Sequence, residues 1–274
     1  MPPWPRAAAA GVLVGLGFAV KVTAALVGLG LAVGLLLWLG RQRRRLVAPL
    51  AALGAGFAVT AGTAVAIGGS AMLRQSSQAS DMVSIGSPWR VIRSVIHLAV
   101  GGTAATDIVK SGAIALTVIL AVLLIRGIPG ILAGPGERAF GPAAAGVAFA
   151  LVLGWLFAWP YVLPWYDALG WALLPLIPVV SAPVADGLGW LLLARTASLG
   201  FGYLPARATG VTMPPGLTWL QSVIRHGVTP AILAAATLWL VVLMVRSGRR
   251  RPSPGGPGAA GTTADAASTA TKAG

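Results

Sequence analysis

The stretch from Ala7 to Gly40, AAAAGVLVGLGFAVKVTAALVGLGLAVGLLLWLG, decides the fold class. Its 34 residues are interrupted only by Lys21 and Thr23. At about 1.5 Å of rise per residue one helix of that length would run roughly 51 Å, whereas the hydrocarbon core of a bilayer is only about 30 Å thick. Two short helices folded near Lys21, or one strongly tilted helix, both fit. The hairpin is preferred because it puts Arg6 on the same side as the cluster Arg41-Gln42-Arg43-Arg44-Arg45, and the positive-inside bias makes that side cytoplasmic. The run exceeds the apolar core of about 7–15 residues found in signal peptides, so no cleaved leader is expected at Met1.

The rest of the chain is built alike. Of 274 residues, 57% are hydrophobic and 9% charged, with a mean hydropathy of +0.84; a soluble domain carries about 25% charged residues. Glycine is abundant, at 37 residues, and small residues let membrane helices approach closely. The net charge of +14 would suit nucleic acid if it lay along one soluble face. It lies instead in clusters between apolar runs, so the expected partner is the lipid bilayer and no nucleic acid. The absence of Cys excludes disulfides, thiolate metal sites and a cysteine nucleophile. No Walker, Rossmann, HExxH or Gly-x-Ser-x-Gly pattern occurs, and neither a cofactor nor a metal is expected.

Further spans follow at Leu46–Gly69, Ala104–Ile125, Phe140–Ala158 and Val228–Val245, with a polar stretch from Ser70 to Pro88 and a Gly/Pro-rich turn from Gly127 to Arg138. Ala168–Val180 and Leu188–Gly200 read as a short hairpin turning at Ser181–Gly187. The expectation is therefore an all-α, polytopic transmembrane bundle over residues 1–251, with about eight crossings and both termini cytoplasmic. Arg6, Arg41, Arg43, Arg44, Arg45, Arg126, Arg138, Arg246, Arg249, Arg250 and Arg251 flank its cytoplasmic ends. Residues 252–274 hold Pro, Gly, Ala, Ser and Thr without a bulky apolar side chain, which predicts a disordered cytoplasmic tail.

This topology leaves Arg74, Arg90, Arg93, Lys110, Arg207 and Arg225 outside, with His97 and His226, against the usual bias. Ser87-Pro88 has the form of an N-cap followed by Pro at the first helical position. At 100° per residue Arg90, Arg93, Ser94 and His97 share one face of a helix over Pro88–Val100, with Val91, Ile92, Val95, Ile96, Leu98 and Ala99 opposite. That predicts an interfacial helix with a cationic stripe. After Pro214-Pro215-Gly216, Thr218, Gln221, Ser222 and Arg225 repeat the design, predicting a second. Such helices anchor to anionic head groups in general. Two of them, with Lys110 nearby, also suit a lipid-linked phosphate held by charge-assisted hydrogen bonds from Arg90, Arg93, His97, Lys110, Arg225 and His226.

Of the outer carboxylates, Asp81 lies in a Ser-rich loop and Asp107 is spaced for an ion pair with Lys110. Asp167 follows Trp165 and Tyr166, aromatic side chains suited to stacking on a sugar and equally to an interfacial belt. It is the one weak candidate for a catalytic carboxylate. Lys21 either binds a phosphate at the bend or snorkels, and Arg195 is similarly placed near the outer end of its span.

Gly15-Leu16-Gly17-Phe18-Ala19-Val20-Lys21-Val22-Thr23-Ala24, the stretch Trp159 to Trp171, and Phe201-Gly202-Tyr203-Leu204-Pro205-Ala206-Arg207 together resemble bacterial polyprenol-phosphate-mannose-dependent α-1,6-mannosyltransferases of the GT-C superfamily, in their C-terminal part. The likeness covers nearly all of residues 7–246. It implies a membrane enzyme that takes a sugar from a polyprenyl-phosphate donor at the outer face and transfers it to a glycan or lipoglycan acceptor of the cell envelope. Transfer would need a carboxylate base for the acceptor hydroxyl and cations for the departing phosphate. The catalytic acidic residue of that superfamily lies in an early outer loop, and no residue here matches it, which implies a fragment of a longer frame, inactive alone. The alternatives are a transporter or flippase for a lipid-linked or anionic solute, against which the absence of an internal repeat counts, and a non-catalytic membrane subunit.

Overall fold

A computed structural model of the chain describes residues 4–39, 43–80, 82–128, 131, 140–177, 182–203 and 215–249. Among them no strand occurs. The helices are α1 (Trp4–Val20), α2 (Ala25–Leu39), α3 (Arg43–Ser80), α4 (Pro88–Val100), α5 (Gly102–Gly127), α6 (Phe140–Ala158), α7 (Asp167–Leu173), α8 (Ala182–Tyr203), α9 (Thr218–Val223) and α10 (Thr229–Arg249). Val47–Ala71, Gly102–Gly127 and Thr218–Arg249 are long and apolar enough to cross a membrane, and Trp4–Val20, Val22–Leu37 and Ala143–Ala158 are shorter apolar helices. The expected tail, the Arg207 loop, Asp81 and most of the turn before Arg138 lie outside the described residues.

Helix α6 has no polar face, so it is satisfied only when surrounded. It forms the centre of the bundle, with Val147, Phe149, Leu153, Leu156 and Ala158 inaccessible. Around it pack α2, α5, α7 and parts of α10. These contacts run on small residues: a Cβ at Gly30 would collide with Ala148, and one at Gly34 would stand 2.8 Å from the Ala144 Cα. Gly154 faces α5 in the same way, 2.8 Å from the Thr117 carbonyl. Between α1 and α3 the pattern recurs, with Gly11 and Gly15 against Leu53 and Thr60, and Gly56 against the Ala8 carbonyl. Because lipid tails are as apolar as leucine, backbone proximity rather than hydrophobicity holds such pairs.

The hairpin expected near Lys21 is present. Lys21 is extended (φ −156°, ψ 119°) between α1 and a short 3-10 turn at Val22–Ala24, and Gly28 on α2 meets Val14 on α1, each seven residues from the bend. Helix α3 reaches beyond the apolar span to Ser80, bent at Gly69 (φ 61°, ψ −162°), a conformation that glycine alone adopts easily.

Two expectations are corrected. Ala168–Val180 does not make a full helical crossing: α7 and the 3-10 turn Leu174–Leu176 cover ten residues, roughly 16 Å. Pro175 lies within that 3-10 turn, where its ring and missing N–H break the α-helical pattern. The turn expected at Ser181–Gly187 is the first part of α8 from Ala182 onward, where Pro183 is tolerated in the first turn and Gly187 is packed against Leu243 of α10. The second interfacial helix is likewise not separate. From Thr218 the chain runs through α9 and a π turn, Ile224–Val228, directly into α10. Pro230 lacks an N–H and its ring would crowd the carbonyl four residues earlier, and the wide turn absorbs that conflict without ending the helix.

Candidate functional site

Helix α4 forms over the residues expected of it. Ser87 is extended (φ −86°, ψ 138°), its hydroxyl accepts from the Trp89 N–H at 3.3 Å, and Pro88 occupies the first turn. Gly101, at φ 85°, ends the helix. Its start is pinned to the end of α6. The Trp89 indole N–H donates to the Ala158 carbonyl at 2.6 Å. Ser84 accepts from the Val162 N–H at 2.9 Å and donates to the Val162 carbonyl at 3.0 Å.

Three arcs divide α4. Trp89 and Ile92 turn into the bundle, where they line an apolar groove. Val91, Val95 and Leu98 stand out from it, Leu98 at 88% exposure, a face that suits lipid rather than water. Arg90, Arg93, Ser94 and His97, with Val83, line a separate open groove of about 370 Å³. The Ser94 hydroxyl is occupied by the Arg90 carbonyl at 3.0 Å. Nε of Arg93 is buried without a hydrogen-bond partner, and a donor left in that state favours binding an acceptor.

The remaining expected cations are less concentrated. Lys110 is half-buried on α5. Arg225 and His226 share the π turn. Arg225 Nε donates to the Gly202 carbonyl at 3.1 Å, while its Nη2 is buried without a partner. His226 Nδ1 lies 3.1 Å from the Ser222 carbonyl. Gly86, just before α4, sits against Thr229 and the Arg225 carbonyl, so the π turn adjoins the start of α4 through backbone. Arg90, Arg93 and His97 are therefore the basic side chains that share this cavity, and Arg225 is a neighbour of the segment leading into it.

The aromatic residues form a second cluster. Tyr166 meets Trp155 at 5.3 Å, Tyr161 at 6.4 Å and Trp165 at 6.4 Å between ring centres, and Trp165 meets Tyr203 at 5.2 Å. Trp165 is half-exposed. The ammonium of Lys21 stands 3.6 Å above the Tyr166 ring, a cation–π contact. Burial at the bend lowers Lys21 from 10.5 to about 8. The phosphate-or-snorkel alternative left by the sequence thus has a third answer: this ammonium rests on an aromatic face.

Asp167 is 1% exposed and engaged on both oxygens. Oδ1 pairs with Nη1 of Arg195, itself 1% exposed, and Oδ2 accepts from the Thr196 hydroxyl at 2.8 Å. Trp171 Nε1 reaches the same hydroxyl at 3.3 Å. The sequence singled out both charges without pairing them. Their opposite signs within flanking apolar runs were the available signal, since an ionised group at membrane depth needs a partner. Among the described residues no group of His, Asp and Glu could hold a metal ion. No family model, curated protein or solved structure matches the chain.

Proposed function

We propose that the chain is part of a GT-C-type membrane glycosyltransferase that uses a polyprenyl-phosphate-linked sugar, mannose by resemblance, to extend a cell-envelope glycan or lipoglycan. In this reading the long apolar helices traverse the cell membrane and α4 lies in the outer interface. The observation that carries it is the groove of Arg90, Arg93 and His97 on a helix with one lipid-facing side and an unpartnered Arg93 Nε. A phosphate joined to a membrane-bound chain presents its oxygens at that depth, and arginine forks match them. Trp165, half-exposed in the aromatic cluster, is the side chain proposed to stack on the sugar. Asp167 holds Arg195 in place and is given no proton-transfer role.

The test is incorporation of labelled sugar from a polyprenyl-phosphate donor in membranes carrying the full reading frame. Changing Arg90→Gln and Arg93→Gln together is expected to raise the KM for donor at least tenfold, on the scale of one charge-assisted hydrogen bond, while the protein still inserts. Unchanged donor use would refute the site. Movement of a lipid-linked solute across vesicles without sugar transfer would favour a transporter instead.

A further inference from the structure

Beside α4 and distinct from its cationic groove lies a second cavity of about 330 Å³, bounded by α4, α5, α6, α8 and α10. Its walls are apolar, with Trp89, Ile92, Leu156 and Leu238 among them, and Arg195 lines it as a single charged residue. The two hydroxyl residues in the wall are already engaged: Ser87 accepts from the Trp89 N–H, and Thr237 donates to the Leu233 carbonyl at 2.8 Å. We infer that this groove binds a single-chain lipid with a carboxylate head, its hydrocarbon chain along the apolar walls and its head on the Arg195 guanidinium.

Three observations fit that occupant. A guanidinium carries five N–H donors in a planar fork, and Asp167 meets Nη1. A second carboxylate at the remaining edge would satisfy donors that hydrocarbon cannot. The local charge also admits one anion: Arg195 pairs with Asp167, Lys21 stands on the ring of Tyr166, the chain neighbour of Asp167, and Asp167 is the one carboxylate among these side chains. The apolar lining then sets the ligand's form. An inorganic anion would leave these walls uncovered, whereas a hydrocarbon chain fills them by packing, as lipid-facing surfaces require. The site needs no sugar donor, so its fate is independent of the glycosyltransferase reading.

The probe is stearic acid bearing a nitroxide near its methyl end, with its methyl ester as the uncharged control, in phosphatidylcholine vesicles containing the full chain. The spectrum reports the fraction of label immobilised by protein. The acid is expected to be retained about tenfold more strongly than the ester, the scale of a charge-assisted hydrogen bond. Ala234→Phe, which puts a ring into the groove from the α10 wall, should abolish retention of both. The paired change Asp167→Asn with Arg195→Gln removes both charges together, so neither is left stranded, and should erase the preference for the acid. Arg90→Gln with Arg93→Gln should change nothing. Equal retention of acid and ester, insensitivity to Ala234→Phe, or loss of acid preference in the α4 variant would each overturn the assignment.

Discussion

Removing either half of the Asp167–Arg195 pair is expected to destabilise the bundle far more than removing both. Each side chain is 1% exposed, so Asp167→Asn strands a guanidinium and Arg195→Met strands a carboxylate in the interior. An uncompensated buried charge costs about 3–5 kcal/mol. The lower end applies here, because chains unfolded within a membrane still find polar partners. Three kcal/mol is about a hundredfold in the folded-to-unfolded ratio. In Asp167→Asn the Thr196 hydroxyl keeps an acceptor, and it also lies 2.8 Å from the Leu192 carbonyl, so the loss reports the charge pair rather than a collapsed network. The double variant Asp167→Asn/Arg195→Met should cost less than about 2 kcal/mol, since well-packed replacements of buried pairs are often nearly neutral. Reversible unfolding in mixed micelles, followed by helix content, measures all three and closes a double-mutant cycle. Additive single-variant effects would show that the two side chains do not act on one another.

Leucine at Gly30 or Gly34 would drive a side chain into the backbone of Ala148 or Ala144 and should cost at least about 1–3 kcal/mol, whereas alanine at Gly62, which has open space, should be tolerated in the same unfolding assay. Trp89→Phe removes the indole donor to Ala158 and should cost about 1 kcal/mol, with faster amide exchange at the start of α4. Lys21 titrates near 8 when folded and at 10.5 as an ordinary lysine; the unfolded chain therefore holds more protons between those values, and stability should rise with pH across them. Lys21→Met should flatten that rise in a pH series of unfolding midpoints.

What could be read from residues alone follows the range of the physics involved. Helix α4 was legible from end to end, because Ser87, Pro88 and the 100° spacing of Arg90, Arg93 and His97 are local signals. The bend at Lys21 was legible because one charge divides a run too long for one crossing. The breaks expected at Ser181–Gly187 and before Val228 misled for a shared reason. Glycine looks like a helix end, but Gly187 is held in α8 by its packing against Leu243, and Gly227 sits in a wide turn that accommodates Pro230. The pairing of Asp167 with Arg195 spans 28 residues and two helices, and no local pattern encodes it. Nor does spacing reveal that Arg195 borders an apolar groove shared by five helices.

The seams at Gly30 and Gly34, and at Gly11 and Gly15, mean that two messages are written over each other in these helices. The amount of leucine and valine addresses the bilayer and is indifferent to order. The register of the glycines addresses one particular neighbour and is indifferent to amount. A version of α2 with its residues shuffled would keep its hydropathy, yet have no place to dock against α6. Insertion and assembly are thereby separable in this chain, and a substitution harmless to the first can silently destroy the second.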